Sequence, residues 1–159
     1  MKVVADKTGS LIATSARFGA LLSGASAQTV EALTKFGEKI GVAFQVADDL
    51  LDVTSDETAS GKTPGTDLKE GVPTLVTLYV IAANNPADKD LIAKLNGPIS
   101  EGDLQAVITQ LRSHKALAEV KEYLANVADE ANSLLTDLPD GAAKEALKNL
   151  TFALVNRST

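Results

Sequence analysis

Residues 41–67 read GVAFQVADDLLDVTSDETASGKTPGTD. At a helical advance of about 100° per residue, Gln45, Asp48, Asp49 and Asp52 fall within an arc of roughly 100°. Beside that arc runs an apolar stripe of Leu33, Gly37, Ile40, Phe44 and Leu51. The spacing predicts the end of an amphipathic helix, followed by a loop rich in Gly, Pro, Ser and Thr. Like charges three or four residues apart cost a helix roughly 0.2–0.5 kcal/mol per pair. Acids near a helix C-terminus also oppose the macrodipole. A divalent cation on that face reverses the sign of both effects.

Working outward, helical periodicity dominates and strand-like alternation bounded by turns is hard to find, so the expected fold class is all-α. A first helix is expected over 2–22, carrying Leu11, Ala16, Phe18 and Leu22, and a second over 29–52. The stretch 53–72 reads as a lid-like loop. Pro73 suits the first turn of a helix reaching Ala83. A short helix is expected over 88–95, and Gly97-Pro98 breaks the chain again. Ser100 has the chemistry of an N-cap, with Asp103 at the capping-box position. Leu104, Val107, Ile108 and Leu111 form the next buried stripe. Leu117, Val120, Leu124, Val127, Ala131 and Leu134 form another, and Ala143, Leu147, Leu150 and Leu154 the last. No internal repeat or linker interrupts this order, so residues 1–159 are expected to form one domain.

Composition removes several function classes. The 15 Lys and Arg against 21 acids give a net charge of −6 and a pI near 4.7. Broad attraction to nucleic acid or an anionic membrane is thus disfavoured. An anionic ligand must be captured locally. The absence of Cys excludes disulfides and thiolate chemistry and fits a cytoplasmic protein. With His114 as the sole imidazole, zinc is disfavoured as well. No apolar stretch approaches the roughly 20 residues of a membrane span. His114 itself, between Ser113 and Lys115, is expected on a surface or at a helix boundary, with no base role.

The acids have a specific chemistry. Asp48 and Asp52 are one turn apart, so two hard oxygen ligands face one cation while waters complete the octahedron that Mg²⁺ prefers. Gln45 continues the face with an amide dipole and no net charge. Lys62 follows in a Gly-flanked segment, where an amine reaches a phosphate oxygen that the metal also holds. Ser60-Gly61-Lys62-Thr63 has the look of a Walker A ending, but Asp56 stands where that motif needs Gly and the preceding element is helical rather than a strand.

Taken together and in order, these pieces resemble the trans-isoprenyl diphosphate synthases, the polyprenyl synthetase family. Lys7-Thr8-Gly9-Ser10-Leu11 is similar to the family's KTGxL segment. Phe44-Gln45 with Asp48-Asp49-Leu50-Leu51-Asp52 resembles its second aspartate-rich motif, and Gly61-Lys62, Gly65 and Asp67-Leu68 its GKxxGxDL. Gly71, Thr74 and Leu75 continue the pattern. The resemblance implies the isoprenoid-synthase helical bundle and a Mg²⁺-dependent prenyltransferase that condenses an allylic diphosphate with isopentenyl diphosphate. It implies Asp48 as the principal metal ligand, Asp52 as a direct or water-mediated one and Asp49 in support, with Lys7 and Lys62 on the allylic diphosphate. Gln45 and Thr8 would lie beside the developing allylic cation. Arg157 is a weaker candidate for the second diphosphate.

The resemblance covers only the C-terminal half of that family's fold. The family's first aspartate-rich motif lies upstream, and Asp48-Asp49 is the only adjacent Asp pair here. The helix pattern is already under way at Val3 and Val4, so the chain reads as a partial domain. The expectation is half a catalytic site, inactive alone, that self-associates or joins a partner supplying the N-terminal half. A noncatalytic subunit that binds and regulates a complete synthase is the alternative, and a terpene cyclase of the same fold fits the GKxxGxDL loop less well.

Overall fold

The structure is a computed structural model that describes residues 4–55 and 64–157. The described residues form helices and no strands. A π-helical turn at Ala5–Gly9 leads into α1 (Ser10–Leu22) and then α2 (Ala27–Thr54). A short α3 (Thr66–Glu70) lies within the stretch read as a loop. It is followed by α4 (Leu75–Ala83), a 3₁₀ turn at Pro86–Asp88 and α5 (Lys89–Leu95). Three longer helices complete the chain: α6 (Glu101–Ser113), α7 (Lys115–Ser133) and α8 (Ala142–Arg157). No helix of the described residues is long and apolar enough to cross a membrane.

Two compact units are distinguished by their internal contacts. The first comprises residues 1–47 and 123–157, and the second is centred on residues 48–122. In the first, Phe36, Ile40, Ala43 and Val46 of α2 are buried, as are Leu124, Val127 and Ala131 of α7. Lys39 and Glu130 form an ion pair between these two helices. In the second, Val76 and Val80 of α4 are buried, as are Leu104, Val107, Ile108 and Leu111 of α6. That α6 stripe is the one its sequence spacing predicts.

Local signals explain most boundaries. The Ser100 hydroxyl accepts from Asp103 N and donates to the Asp103 carboxylate at 2.7 Å, closing the start of α6. At α4 the cap is Thr74, not Pro73. Its hydroxyl accepts from Thr77 N while the Thr77 hydroxyl accepts from Thr74 N at 3.0 Å, so Pro73 sits outside the helix. Gly71, at φ +70°, reverses the chain after α3 where any other residue would be strained. His114 does stand at a helix boundary, between α6 and α7, but largely buried. Its Nδ1 accepts from Ala116 N at 3.0 Å, which leaves the ring hydrogen on Nε2, 3.1 Å from an Asp88 carboxylate oxygen.

Three apolar faces depart from their sequence reading. On α1 the buried positions are Ala13 and Ala20, whereas Leu11, Phe18 and Leu22 are 69%, 57% and 89% exposed. Small residues face inward because α2 approaches too closely for large ones. On α2 the core stripe passes through Phe36, Ile40, Ala43, Ala47 and Leu50, leaving Phe44 partly exposed. On α8 the buried residues are Thr151 and Leu154, with Leu150 exposed. The Thr151 hydroxyl is satisfied by the Leu147 carbonyl, so its burial carries no unpaired group. Past the end of α7 at Ser133, Leu135 rather than Leu134 is fully buried, because the helical phase no longer applies there.

These burials predict a contrast in stability. Leu124→Ala should lower the unfolding free energy by about 2–5 kcal/mol, and Phe152→Ala by no more than about 0.5 kcal/mol. Urea titrations followed by circular dichroism measure both, and equal losses would contradict the core described.

Candidate functional site

The first unit holds Lys7, Thr8 and Gln45. Lys7 and Thr8 lie in the π turn, where Ser10 N–H donates to the Ala5 carbonyl, one residue further back than an α-helix allows. The turn sits on a seam of glycines. A Cβ on Gly41 would collide with Gly9 Cα and lie 2.9 Å from Gly9 N. One on Gly37 would lie 2.7 Å from Ala13 Cα and 2.9 Å from the Ile12 carbonyl oxygen. Backbones thus meet with no side chain between them. One consequence is a hydrogen bond across the seam, in which the Thr8 hydroxyl donates to Gln45 Oε1 at 3.3 Å. A donating hydroxyl keeps its oxygen lone pairs, so this pair presents partial negative charge without a formal charge. Beside the seam lies an open apolar cleft of about 300 Å³, lined by residues that include Ile12, Phe36, Ile40 and Leu147.

The second unit holds Asp48, Asp49 and Asp52, on the last two turns of α2. Asp49 Oδ2 accepts from Leu75 N at 2.9 Å. Leu75 opens α4, so this carboxylate fills an orphan donor at a helix N-terminus, where negative charge is also favoured. Asp52 Oδ1 accepts from Thr66 N at 2.9 Å, and the Asp52 carbonyl accepts from Gly65 N at 2.8 Å. Gly65, at φ +80°, makes that return turn possible. Asp52 Oδ2 is buried and has no hydrogen-bond partner. Burial pushes the Asp52 carboxyl above its ordinary range. The nearby Asp67 charge and, more weakly, Asp48 add to the rise, while the Asp67 and Thr66 N–H groups oppose it.

A buried carboxylate oxygen without a donor, with two like charges acting on it, fits a hard divalent cation. Among the described residues, no three His or acidic side chains already converge as a closed metal cage. Mg²⁺ is commonly held by one or two carboxylates, waters and substrate phosphates, with no all-protein cage. Lys62 lies outside the described residues, as does the side chain of Arg157. The sequence motif contains Asp67 without giving it a role, although it is the largest charge influence on Asp52. Sequence reasoning also gave no role to Arg112, which contacts the end of α2 through its carbonyls.

Comparison with known proteins gives a consistent picture. The family model described as polyprenyl synthetase matches residues 1–111. A nonaprenyl diphosphate synthase of Mycobacterium tuberculosis is 42% identical over 158 residues, covering 99% of this chain and 47% of the relative. A heptaprenyl diphosphate synthase component 2 of Bacillus subtilis is 34% identical, covering 92% of this chain and 42% of the relative. A crystal structure of geranylgeranyl pyrophosphate synthase from Corynebacterium glutamicum, complexed with calcium and isoprenyl diphosphate, superposes with a TM-score of 0.90 at 37% identity. It covers 98% of this chain and 49% of that one. The chain therefore spans about half the length of these relatives.

Two outcomes follow from the geometry. Gly41→Ala should cost about 3 kcal/mol, the upper end of overpacking penalties, measurable by urea unfolding; a neutral result would contradict the seam. The second concerns pH. An acid whose folded pKa exceeds its unfolded value favours folding below the unfolded pKa, and that contribution is lost as pH rises through the folded pKa. Metal-free Asp52→Asn, which escapes this loss, should melt above the wild type at pH 7, with the gap closing toward about pH 4. A lower Tm for the variant at pH 7 would contradict the upward shift assigned to the Asp52 carboxyl.

Proposed function

This chain belongs to the polyprenyl synthetase family, and on that premise we propose that it supplies one side of a prenyltransferase site for an allylic diphosphate. The observation that carries the reading is the buried, unpartnered Asp52 Oδ2 at the acid-rich end of α2. In this reading Asp48 and Asp52 hold Mg²⁺, and Asp49 supports them by fixing α2 to the start of α4. Lys7 and Lys62 grip the diphosphate as point charges. The chemistry supplied by bound Mg²⁺ is neutralisation of the charge that grows on the departing diphosphate.

The reaction separates charge. The allylic C–O bond breaks, and its electron pair leaves with diphosphate. The double bond of isopentenyl diphosphate attacks the allylic carbon, which leaves a cation on the isopentenyl unit, and a proton passes from the carbon next to that cation to the departed diphosphate. In this reading the hydrogen-bonded Thr8 and Gln45 supply uncharged oxygen dipoles, and such dipoles beside developing positive charge stabilise a transition state without forming an ion pair with it.

Condensation also requires the half of the fold that this chain does not match, in the same or a second polypeptide. The name component 2 points to a partner subunit in the Bacillus subtilis relative, which is itself more than twice as long as the stretch matched here. A cytoplasmic setting belongs to this reading, supported by the absence of Cys. A second reading, a noncatalytic regulatory subunit of a complete synthase, is favoured by the exposed Leu11, Phe18 and Leu22 of α1.

Co-expression with a polypeptide covering the complementary half, followed by labelled isopentenyl diphosphate incorporation, separates the two readings. Asp48→Ala should lower the complemented rate at least about 100-fold. Undiminished stimulation by that variant would favour the regulatory subunit. Robust turnover by these 159 residues alone would refute the half-site.

A further inference from the structure

Arg112 stands in the last turn of α6, outside every motif that carries the family resemblance. Its Nε donates to the Val53 carbonyl at 2.8 Å, and its Nη2 donates to the Ser55 carbonyl at 2.7 Å and, at 3.5 Å, to that of Thr54. These are the carbonyls of Val53 and Thr54 at the end of α2 and of Ser55 just past it. The last four carbonyls of a helix have no donor within it. Here they are tied off in succession, because the Asp52 carbonyl is taken by Gly65 N.

The fork is what matters. A guanidinium presents donors in a fixed plane, so two carbonyls held by Nε and Nη2 have their relative direction set. An ammonium or a water can satisfy such carbonyls without fixing that direction. The carbonyls at Val53 and Ser55 lie one and three residues past Asp52, and the Asp52 carboxylate is itself held at one oxygen by Thr66 N. The other oxygen, Oδ2, is left buried with no donor. Its direction is therefore determined by where the last turn of α2 lies.

We infer that Arg112 is a positioning residue for the cation site, setting the last turn of α2 through the Val53 and Ser55 carbonyls and thereby the placement of the Asp52 carboxylate. The inference rests on the reading of Asp48 and Asp52 as cation ligands. It differs in sign from a simple charge effect. A positive charge near a cation site repels the cation, so a purely electrostatic Arg112 would weaken binding and its removal would tighten it. A positioning Arg112 does the reverse.

The test uses the full chain as wild type, Arg112→Ala and Arg112→Lys. Mn²⁺ is titrated by electron paramagnetic resonance, and amide exchange at Gly65 and Thr66 is followed by NMR without metal. Both variants should bind Mn²⁺ on the order of 10-fold more weakly. Both should exchange the Gly65 and Thr66 amides faster, and millimolar guanidinium at matched ionic strength should restore part of the Arg112→Ala affinity. Arg112→Lys keeps the charge, so it remains informative if Arg112→Ala unfolds. Unchanged amides, wild-type affinity in Arg112→Lys, or tighter binding in Arg112→Ala would each overturn the inference. A wild type that binds no Mn²⁺ would remove the cation reading and this inference with it. The metal-free exchange data would then show separately whether Arg112 fixes the helix end.

Discussion

Negative charge held at the wrong end of a helix is the constraint around which the second unit is organised. Asp48, Asp49 and Asp52 crowd the last two turns of α2, where the helix dipole and their mutual repulsion both oppose them. Each compensation visible nearby is a donor brought from elsewhere in the chain. Leu75 N–H meets Asp49, Thr66 N–H meets Asp52, Gly65 N–H meets the Asp52 carbonyl, and Arg112 meets the carbonyls beyond it. The compensation is incomplete, because one Asp52 oxygen is buried without a donor. Incomplete satisfaction is costly in a structural element and expected in a binding site, since the missing partner is the ligand.

The first unit solves a different problem, the placement of uncharged dipoles. Glycines at positions 9, 37 and 41 let two backbones meet without side chains between them, and the helix entering α1 takes up an extra residue as a π turn. That close approach joins Thr8 to Gln45 across the seam. Substituting a larger residue at Gly41 would separate them without touching either.

Much of this was legible in the sequence, and the parts that were not share a cause. Helix content, the Ser100 cap and the α6 stripe rest on local periodicity and capping chemistry, which act within a few residues. A partial bundle is expected to leave apolar faces exposed, but which residues of α1 face inward is not legible from α1 alone, because burial there is decided by the glycines of α2. Pro73 suits the first turn of α4 by sequence, whereas Thr74 and Thr77 form a reciprocal N-terminal cap that starts the helix at Leu75. On α8, Thr151 is buried because its hydroxyl bonds within its own helix, which a polar–apolar pattern does not register. In the site, Asp48, Asp49 and Asp52 were visible as a helical arc. The groups that hold them were not, since the partner of Asp49 lies 26 positions away and the residue holding the end of α2 lies in α6.

The most direct test of this account is diffraction at the manganese absorption edge from crystals of the chain grown with Mn²⁺ and inorganic pyrophosphate. An anomalous peak within coordination distance of the Asp48 and Asp52 carboxylates, with Oδ2 of Asp52 among the ligands, is the predicted result. Manganese bound elsewhere, or none bound while Asp52 Oδ2 stays unpartnered, would contradict it.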